Sequence, residues 1–124
     1  MPARVLVCDN EEVLRALVRA ALTPEGYDIV EARDGEESVE LARSVDPDLI
    51  VLDMMMPGRT GIEVLEELRS EERFAETPVV MLTARTQEAD RKNASTAGAD
   101  RFLSKPFSPL QLASVVEELL EGSR

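Results

Sequence analysis

Four side chains that can do chemistry each follow a short strand-like segment of the sequence. They are Asp9, Asp53, Thr83 and Lys105. Carboxylates delivered by adjacent strands would repel each other unless a cation lay between them. A hard divalent ion with oxygen ligands, above all Mg²⁺, suits that position, and the lysine and the threonine can hold an anion beside it. Together these residues indicate transfer of a phosphoryl group to an aspartate.

The remaining composition narrows the chemistry further. The chain has 124 residues, no histidine and one cysteine, Cys8. The missing histidine excludes Ser-His-Asp and Cys-His catalysis and histidine-ligated metal. The lone cysteine excludes an internal disulfide and a cysteine-based zinc site. The formal charge of −11 argues against direct binding to nucleic acid or to an anionic membrane.

Hydropathy and the cysteine content predict the cellular location of the protein. No stretch approaches the roughly 18 apolar residues that are needed to cross a bilayer. The first residues lack the basic and apolar regions of a signal peptide. We therefore expect a cytoplasmic protein, in keeping with its single cysteine.

Strand-like and helix-like patterns alternate along the chain. The strand-like segments are 5–8, 27–31, 49–52, 79–82 and 101–104. The helical segments run from Val13 to Leu22, from a cap at Asp34 to about Ser44, from a cap at Thr60 through Leu68, from about Gln87 to Ala97, and from a cap at Ser108 to Gly122. Glu37, Glu63 and Gln111 stand three residues after the three caps, as in capping boxes. This alternation predicts parallel strands joined by right-handed helical crossovers.

The polarity of the strand-like segments predicts their order in the sheet. Segments 5–8, 49–52 and 79–82 are apolar on both faces, so they should be central strands covered by helices. Segments 27–31 and 101–104 carry polar residues and should be edges. We therefore expect one α/β domain over residues 1–124, with a doubly wound sheet in the order 2-1-3-4-5. The carboxyl ends of its strands would bring the four chemical side chains to one edge.

The motifs around these side chains resemble those of response-regulator receiver domains, the phospho-acceptor modules of two-component signalling and members of the chemotaxis-regulator-like superfamily. The matching segments are Val5-Leu-Val-Cys-Asp9-Asn-Glu11, Ile50-Val-Leu-Asp53-Met-Met-Met-Pro57-Gly58, Val80-Met-Leu-Thr83-Ala84 and Ala99-Asp-Arg-Phe102-Leu-Ser-Lys105-Pro106-Phe107. The resemblance covers nearly the whole chain, with the motifs in order and at the right spacing. It implies a flavodoxin-like (βα)5 sandwich.

The resemblance also implies the phosphoryl acceptor and its metal. Asp53 would take a phosphoryl group from a sensor histidine kinase or a phosphotransfer protein. Asp9 and Asp53 would help to bind Mg²⁺, together with the backbone carbonyl of Met55. A downstream effector or a fused output domain is not indicated by any motif.

Further residues are implied to bind phosphate and to act as a switch. Thr83, the amide of Ala84 and Lys105 would hold the phosphoryl oxygens. Phe102 would rotate inward when Thr83 moves toward the phosphate. The Lys105-Pro106 peptide bond would be cis. The responding surface would consist of the fourth helix, the fifth strand and the fifth helix, with segment 87–97 as the mobile element because its inner face carries only alanines.

The sequence departs from the family pattern at Asn10. Receiver domains have a second acid there, which coordinates the metal directly, and a neutral amide oxygen attracts Mg²⁺ less strongly. We expect weaker Mg²⁺ binding than in typical relatives, partly compensated by Glu11 or Asp9. The alternative is a phosphorylation-independent pseudo-receiver that acts as a protein-docking module.

Two other functions fit the sequence less well. A flavin-binding protein of this fold needs a phosphate loop after the first strand, where Asp9 and its acidic neighbours would repel phosphate, and it needs aromatic rings for stacking. A haloacid-dehalogenase-type phosphatase needs an acid two residues after its nucleophile, where this chain has Met55. We therefore expect a phosphorylation-controlled switch and not an enzyme.

Overall fold

The computed structural model describes residues 2–84 and 88–122, with side chains in the same ranges apart from 88–91. The strands are β1 (Arg4–Cys8), β2 (Asp28–Ala32), β3 (Leu49–Asp53), β4 (Val79–Ala84) and β5 (Arg101–Lys105). The α-helices are α1 (Glu12–Leu22), α2 (Gly35–Val45), α3 (Gly61–Arg69), α4 (Glu88–Ala97) and α5 (Pro109–Gly122). Short 3₁₀ turns cover Thr23–Glu25 and Glu72–Phe74.

The five strands form a parallel sheet in the order β2-β1-β3-β4-β5, which confirms the predicted fold class. Strands β1, β3 and β4 are central and almost entirely buried, and β2 and β5 are the edges. Among the described residues, no helix has the length and the apolar character to span a bilayer.

The sheet has a different set of helices on each face. Successive side chains of a strand point to opposite faces, so Val5 and Val7 pack against α1 and α5, whereas Leu6 and Cys8 pack against α2, α3 and α4. We call these the α1–α5 face and the α2–α4 face. Each face buries its own hydrophobic core, which is the dominant favourable term in folding.

Strand ends differ from the predictions by one or two residues. Strand β4 continues to Ala84 and β5 to Lys105 because these two residues pair with each other. Strand β2 ends at Ala32 because this residue pairs with Cys8. The backbone ladder of the neighbouring strand sets these limits, and side-chain polarity alone does not report it. The predicted start of the fourth helix at Gln87 lies outside the described residues.

The predicted helix caps differ in how completely they form. Thr60 and Glu63 exchange both bonds of a capping box. The Asp34 carboxylate accepts a hydrogen bond from the Glu37 amide at 2.8 Å, but the Glu37 carboxylate accepts from the amide of Arg33, at 2.9 Å. The Arg33 guanidinium also binds Glu37, so an ion pair draws this carboxylate one residue beyond the position expected in a box. Ser108 accepts from the amide of Gln111 at 3.0 Å, as a cap should.

Candidate functional site

Three of the predicted site residues meet at the carboxyl edge of the sheet. The Lys105 ammonium nitrogen lies 2.9 Å from Asp53 Oδ1 and 3.3 Å from Asp9 Oδ2. Asp53 ends β3 and Asp9 follows the neighbouring strand β1. Lys105 ends β5, which is two strands from β3, but it shares the α1–α5 face with Asp53, and its long side chain spans the width of β4. The Lys105-Pro106 peptide bond is cis, as predicted.

The two carboxylates are buried beside each other. Asp9 is 0% exposed and Asp53 is 4% exposed. Burial raises the pKa of Asp53, and the negative charge of Asp9 raises it further, against the opposing effect of the Lys105 hydrogen bond and charge. For Lys105, burial acts to lower the pKa, but the hydrogen bond and charge of Asp53, together with Asp9, outweigh burial and raise it. The lysine is therefore fully charged at neutral pH.

Thr83 presents a buried hydroxyl at the same edge of the sheet, near the end of β4. It follows Leu82, which is the register partner of Asp53, and its side chain is 1% exposed. Its Oγ1 atom has no hydrogen-bond partner among the described residues. A buried hydroxyl without a partner costs free energy. This hydroxyl can donate to an anion that enters the site.

The remaining proposed ligands lie at the surface of the site. Met55 is 58% exposed, and its backbone amide acts to lower the pKa of Asp53, against the effect of burial. Asn10 is exposed directly after Asp9. Ala84 is exposed at the end of β4 and is the register partner of Lys105.

Phe102 lies away from the carboxylates. It pairs with Met81 and packs, partly buried, against the core of the α2–α4 face. Because Met81 and Thr83 are two residues apart on β4, the Thr83 side chain starts from the same face of the sheet as Phe102. The structure therefore brings together Asp9, Asp53 and Lys105, and it places Thr83 and Phe102 on the opposite face.

The sequence did not predict two residues that shape the site. Gly61 begins α3 so close to β3 that a Cβ atom there would lie 2.3 Å from the carbonyl oxygen of Asp53. A glycine directly after the Thr60 cap was the available signal for this close approach. Arg15 donates to the carbonyl oxygen of Asp9 at 2.8 Å. No motif pointed to Arg15, because the contact depends on how α1 packs.

Comparison with known proteins agrees with this arrangement. The family model described as the response regulator receiver domain matches residues 5–117. This chain belongs to that family. It is 41% identical over 123 residues to the alkaline phosphatase synthesis transcriptional regulatory protein PhoP of Bacillus subtilis (strain 168). That match covers 99% of this chain and 50% of the relative, so the receiver chain spans about half the length of the curated protein.

Solved structures of receiver proteins share its fold. Chemotaxis protein CheY4 of Vibrio cholerae has a TM-score of 0.90 and 31% identity, with 96% of this chain and 99% of that chain covered. The receiver domain of the sensor histidine kinase PA1611 from Pseudomonas aeruginosa PAO1 has a TM-score of 0.89 and 26% identity, with 98% and 99% covered. That structure carries a magnesium ion coordinated in its active site cleft. The predicted family membership is thus confirmed, and the chain is the receiver domain of a two-component response regulator.

Proposed function

We propose that Asp53 is the phospho-acceptor of this receiver domain and takes its phosphoryl group from a sensor histidine kinase or a phosphotransfer protein. The observation that carries the proposal is the contact of Lys105 with both Asp53 and Asp9 in a buried cluster. Such a cluster combines a nucleophilic carboxylate with a cation that can bind the incoming phosphoryl oxygens.

The proposed transfer forms a bond between Asp53 and phosphorus and breaks the bond between phosphorus and the donor. An oxygen of the Asp53 carboxylate attacks the phosphorus atom of the donor. A P–O bond forms as the bond from phosphorus to the donor's histidine nitrogen breaks, and that nitrogen keeps the electron pair and takes a proton from solvent. Lys105 holds one phosphoryl oxygen, and the Thr83 hydroxyl and the Ala84 amide are the proposed donors to another. In this proposal the phosphoryl group stays on the chain, and the domain acts as a switch.

The donor set fits Mg²⁺. Asp9 and Asp53 offer only oxygen atoms, and one or two carboxylates with further neutral oxygens and water are the usual environment of this ion. No group of three or more acidic, histidine or cysteine side chains that could hold a metal occurs in the described part of the chain. The backbone carbonyl of Met55 and the amide oxygen of Asn10 are the proposed further ligands. When bound, Mg²⁺ would neutralise charge on the phosphoryl oxygens.

Phosphorylation is proposed to act on the surface formed by α4, β5 and α5. The phosphoryl group adds about −1.5 to −2 charges, which would draw the unsatisfied Thr83 hydroxyl toward Asp53. Phe102 lies on the same face as Thr83 and is only partly buried, so it can respond to that movement. In segment 92–97 of α4, Ala94 is buried and Ala97 is half-buried, which gives the helix little anchoring.

Exposed apolar side chains at the same edge of the sheet support docking of a protein donor. They are Val13, Met55 and Leu110. In the sequence, Val13 lies four residues after Asp9, Met55 two after Asp53, and Leu110 five after Lys105. We expect Leu110→Ser to slow phosphoryl transfer from the cognate donor protein and to leave the reaction with acetyl phosphate unchanged. Equal slowing of both reactions would place the effect in the site and contradict donor docking.

Acetyl phosphate with Mg²⁺ tests the central proposal. Mass spectrometry of the intact chain should show the addition of one phosphoryl group to the wild type and none to Asp53→Asn. Asp28→Asn is the matched control, because Asp28 is an exposed aspartate at the start of β2 and its replacement should leave the reaction intact. An unmodified wild-type chain would refute the proposal and favour the pseudo-receiver alternative.

Asn10 sharpens the magnesium part of the proposal. A carboxylate attracts Mg²⁺ more strongly than an amide oxygen, so we expect Asn10→Asp to bind Mg²⁺ more tightly than the wild type. Titration calorimetry of both proteins measures the difference. Equal affinities would show that position 10 does not weaken the site.

A further inference from the structure

Arg15 is a buried arginine that forms its ion pair with Glu31 and not with the carboxylate of Asp9. Arg15 is 8% exposed. Its Nη1 atom donates to the carbonyl oxygen of Asp9 at 2.8 Å, and its Nε atom donates to Glu31 Oε1 at 3.2 Å. Arg19, one turn further along α1, binds the other oxygen of Glu31. The guanidinium therefore has its counter-charge in Glu31 on β2 and reaches Asp9 only through the backbone.

The polar atoms of Asp9 are all engaged. Its N–H donates to the carbonyl of Ala32 at 3.1 Å, and its carbonyl accepts from Arg15. Its Oδ1 atom accepts from the amide of Glu11 at 2.9 Å, and its Oδ2 atom accepts from Lys105 at 3.3 Å. Four hydrogen bonds thus hold Asp9, and the bond to its carbonyl oxygen comes from the side chain of Arg15.

The turn from Asp9 into α1 lacks the usual side-chain cap. Helix α1 begins at Glu12, and its N-cap residue Glu11 makes no side-chain capping bond. A side-chain cap of this kind binds an N–H group of the first turn and stabilises the start of a helix. Here the guanidinium of Arg15, on the first turn of α1, binds the Asp9 carbonyl and so fixes the turn that leads into the helix.

We propose that Arg15, oriented by Glu31, is a positioning residue that fixes Asp9 and the turn after it for cation binding. This inference rests on the proposed function, because it concerns the same Mg²⁺ site. Arg15 takes its counter-charge from Glu31 and binds Asp9 through the backbone carbonyl, so it fixes the residue without occupying the oxygens of the Asp9 carboxylate. Groups that orient metal ligands change metal affinity about 10–100-fold when they are removed.

Arg15→Met and Arg19→Met form a matched pair for the test. Both variants remove an arginine that binds Glu31, but only Arg15 contacts Asp9. We expect Arg15→Met to raise the Kd for Mg²⁺ about tenfold and Arg19→Met to leave it unchanged. Arg15→Lys keeps the charge but carries its N–H donors on a single nitrogen, so it should give an intermediate Kd, and it serves if the methionine variant does not fold. Titration calorimetry gives the affinity, and urea unfolding reports separately on stability.

A second measurement does not depend on Mg²⁺. The Glu11 amide is bonded to Asp9 Oδ1, so its hydrogen exchange reports on the geometry of the turn. We expect this amide to exchange faster in Arg15→Met than in Arg19→Met. Equal exchange in the two variants would overturn the inference. If the wild type binds Mg²⁺, equal Mg²⁺ affinities of the two variants would overturn it as well. A wild type that binds no Mg²⁺ would instead refute the proposed function, and the exchange measurement would still decide the role of Arg15.

Discussion

The two edges of the sheet treat polar groups in opposite ways. At the carboxyl edge, Asp9 and Asp53 lie buried together and the Thr83 hydroxyl has no partner among the described residues. At the amino edge, every N–H nitrogen of the Arg69 guanidinium donates a hydrogen bond. It binds the carbonyls of Phe74, Thr77 and Gly98 and the carboxylate of Asp100.

The polar groups of the amino edge stabilise the fold, whereas those of the carboxyl edge form the candidate site at a cost in stability. The hydrogen bonds of Arg69 join the end of α3, the approach to β4 and the turn between α4 and β5, and Asp100 also accepts from the amide of Val79 at 2.8 Å. Satisfied buried hydrogen bonds stabilise the fold, whereas crowded like charges and unpaired hydroxyls oppose it. We therefore expect substitutions at the amino edge to destabilise the domain and suitable substitutions at the carboxyl edge to stabilise it.

The largest effect should come from Arg69→Met. This change removes the guanidinium and leaves several carbonyl oxygens without donors, so we expect the free energy of unfolding to fall by about 3 kcal/mol. Urea unfolding at pH 7 measures the loss. Arg69→Lys keeps the charge but cannot serve all the acceptors, so it should recover only part of the stability. Full recovery by lysine would show that charge, and not the set of hydrogen bonds, matters here.

Gly98→Ala should have the next largest effect. Gly98 directly follows α4 and has a φ of +110°, and a Cβ atom there would lie 3.0 Å from Arg69 Nε. Backbone strain of this kind costs on the order of 1–3 kcal/mol, so we expect a loss of about 2 kcal/mol. Gly122→Ala is the control, because a Cβ atom at Gly122 would have no neighbour within 4 Å. Equal stabilities of the two variants would contradict the strain argument.

Asp53→Asn should act in the opposite direction. The raised pKa of Asp53 means that its ionised form is unfavourable in the folded state. We expect the asparagine variant to be more stable than the wild type by about 1 kcal/mol at pH 7. The cost in the wild type develops as the pH rises from the ordinary value of 3.8 through the raised pKa, so the advantage of the variant should vanish below that range. Urea unfolding at pH 7 and at pH 3.5 tests both points, and an advantage that grows on acidification would show that the sign is wrong.

Thr83→Val should give the smallest change in stability. Valine replaces an unpaired buried hydroxyl by a methyl group of similar shape, so we expect a gain of about 0.5 kcal/mol. The same variant should lose the change in the amide spectrum of α4, β5 and α5 that phosphorylation is proposed to cause. A clear loss of stability would mean that the hydroxyl has a partner in solution.

Particular residues show how far the sequence could predict this protein. The adjacency of Asp9 and Asp53 followed from two apolar segments that had to be neighbouring central strands. The Thr60 capping box followed from local spacing and formed as expected. The box at Asp34 formed only in part, because Arg33 competes for Glu37. Strand ends at Ala32, Ala84 and Lys105 depended on a neighbouring ladder and were missed.

The sequence by itself determined the order of the elements, the central and edge strands, and the side chains that stand at the strand ends. These features depend on periodicity and short connections, which are local and leave a pattern in the chain. Only the tertiary structure decided that Lys105 spans β4 to reach both acids, that Arg15 binds the backbone of Asp9, and that Arg69 gathers three carbonyl groups at the other edge. Such contacts join residues from separate elements at distances set by packing, and a fraction of an ångström decides whether a hydrogen bond forms.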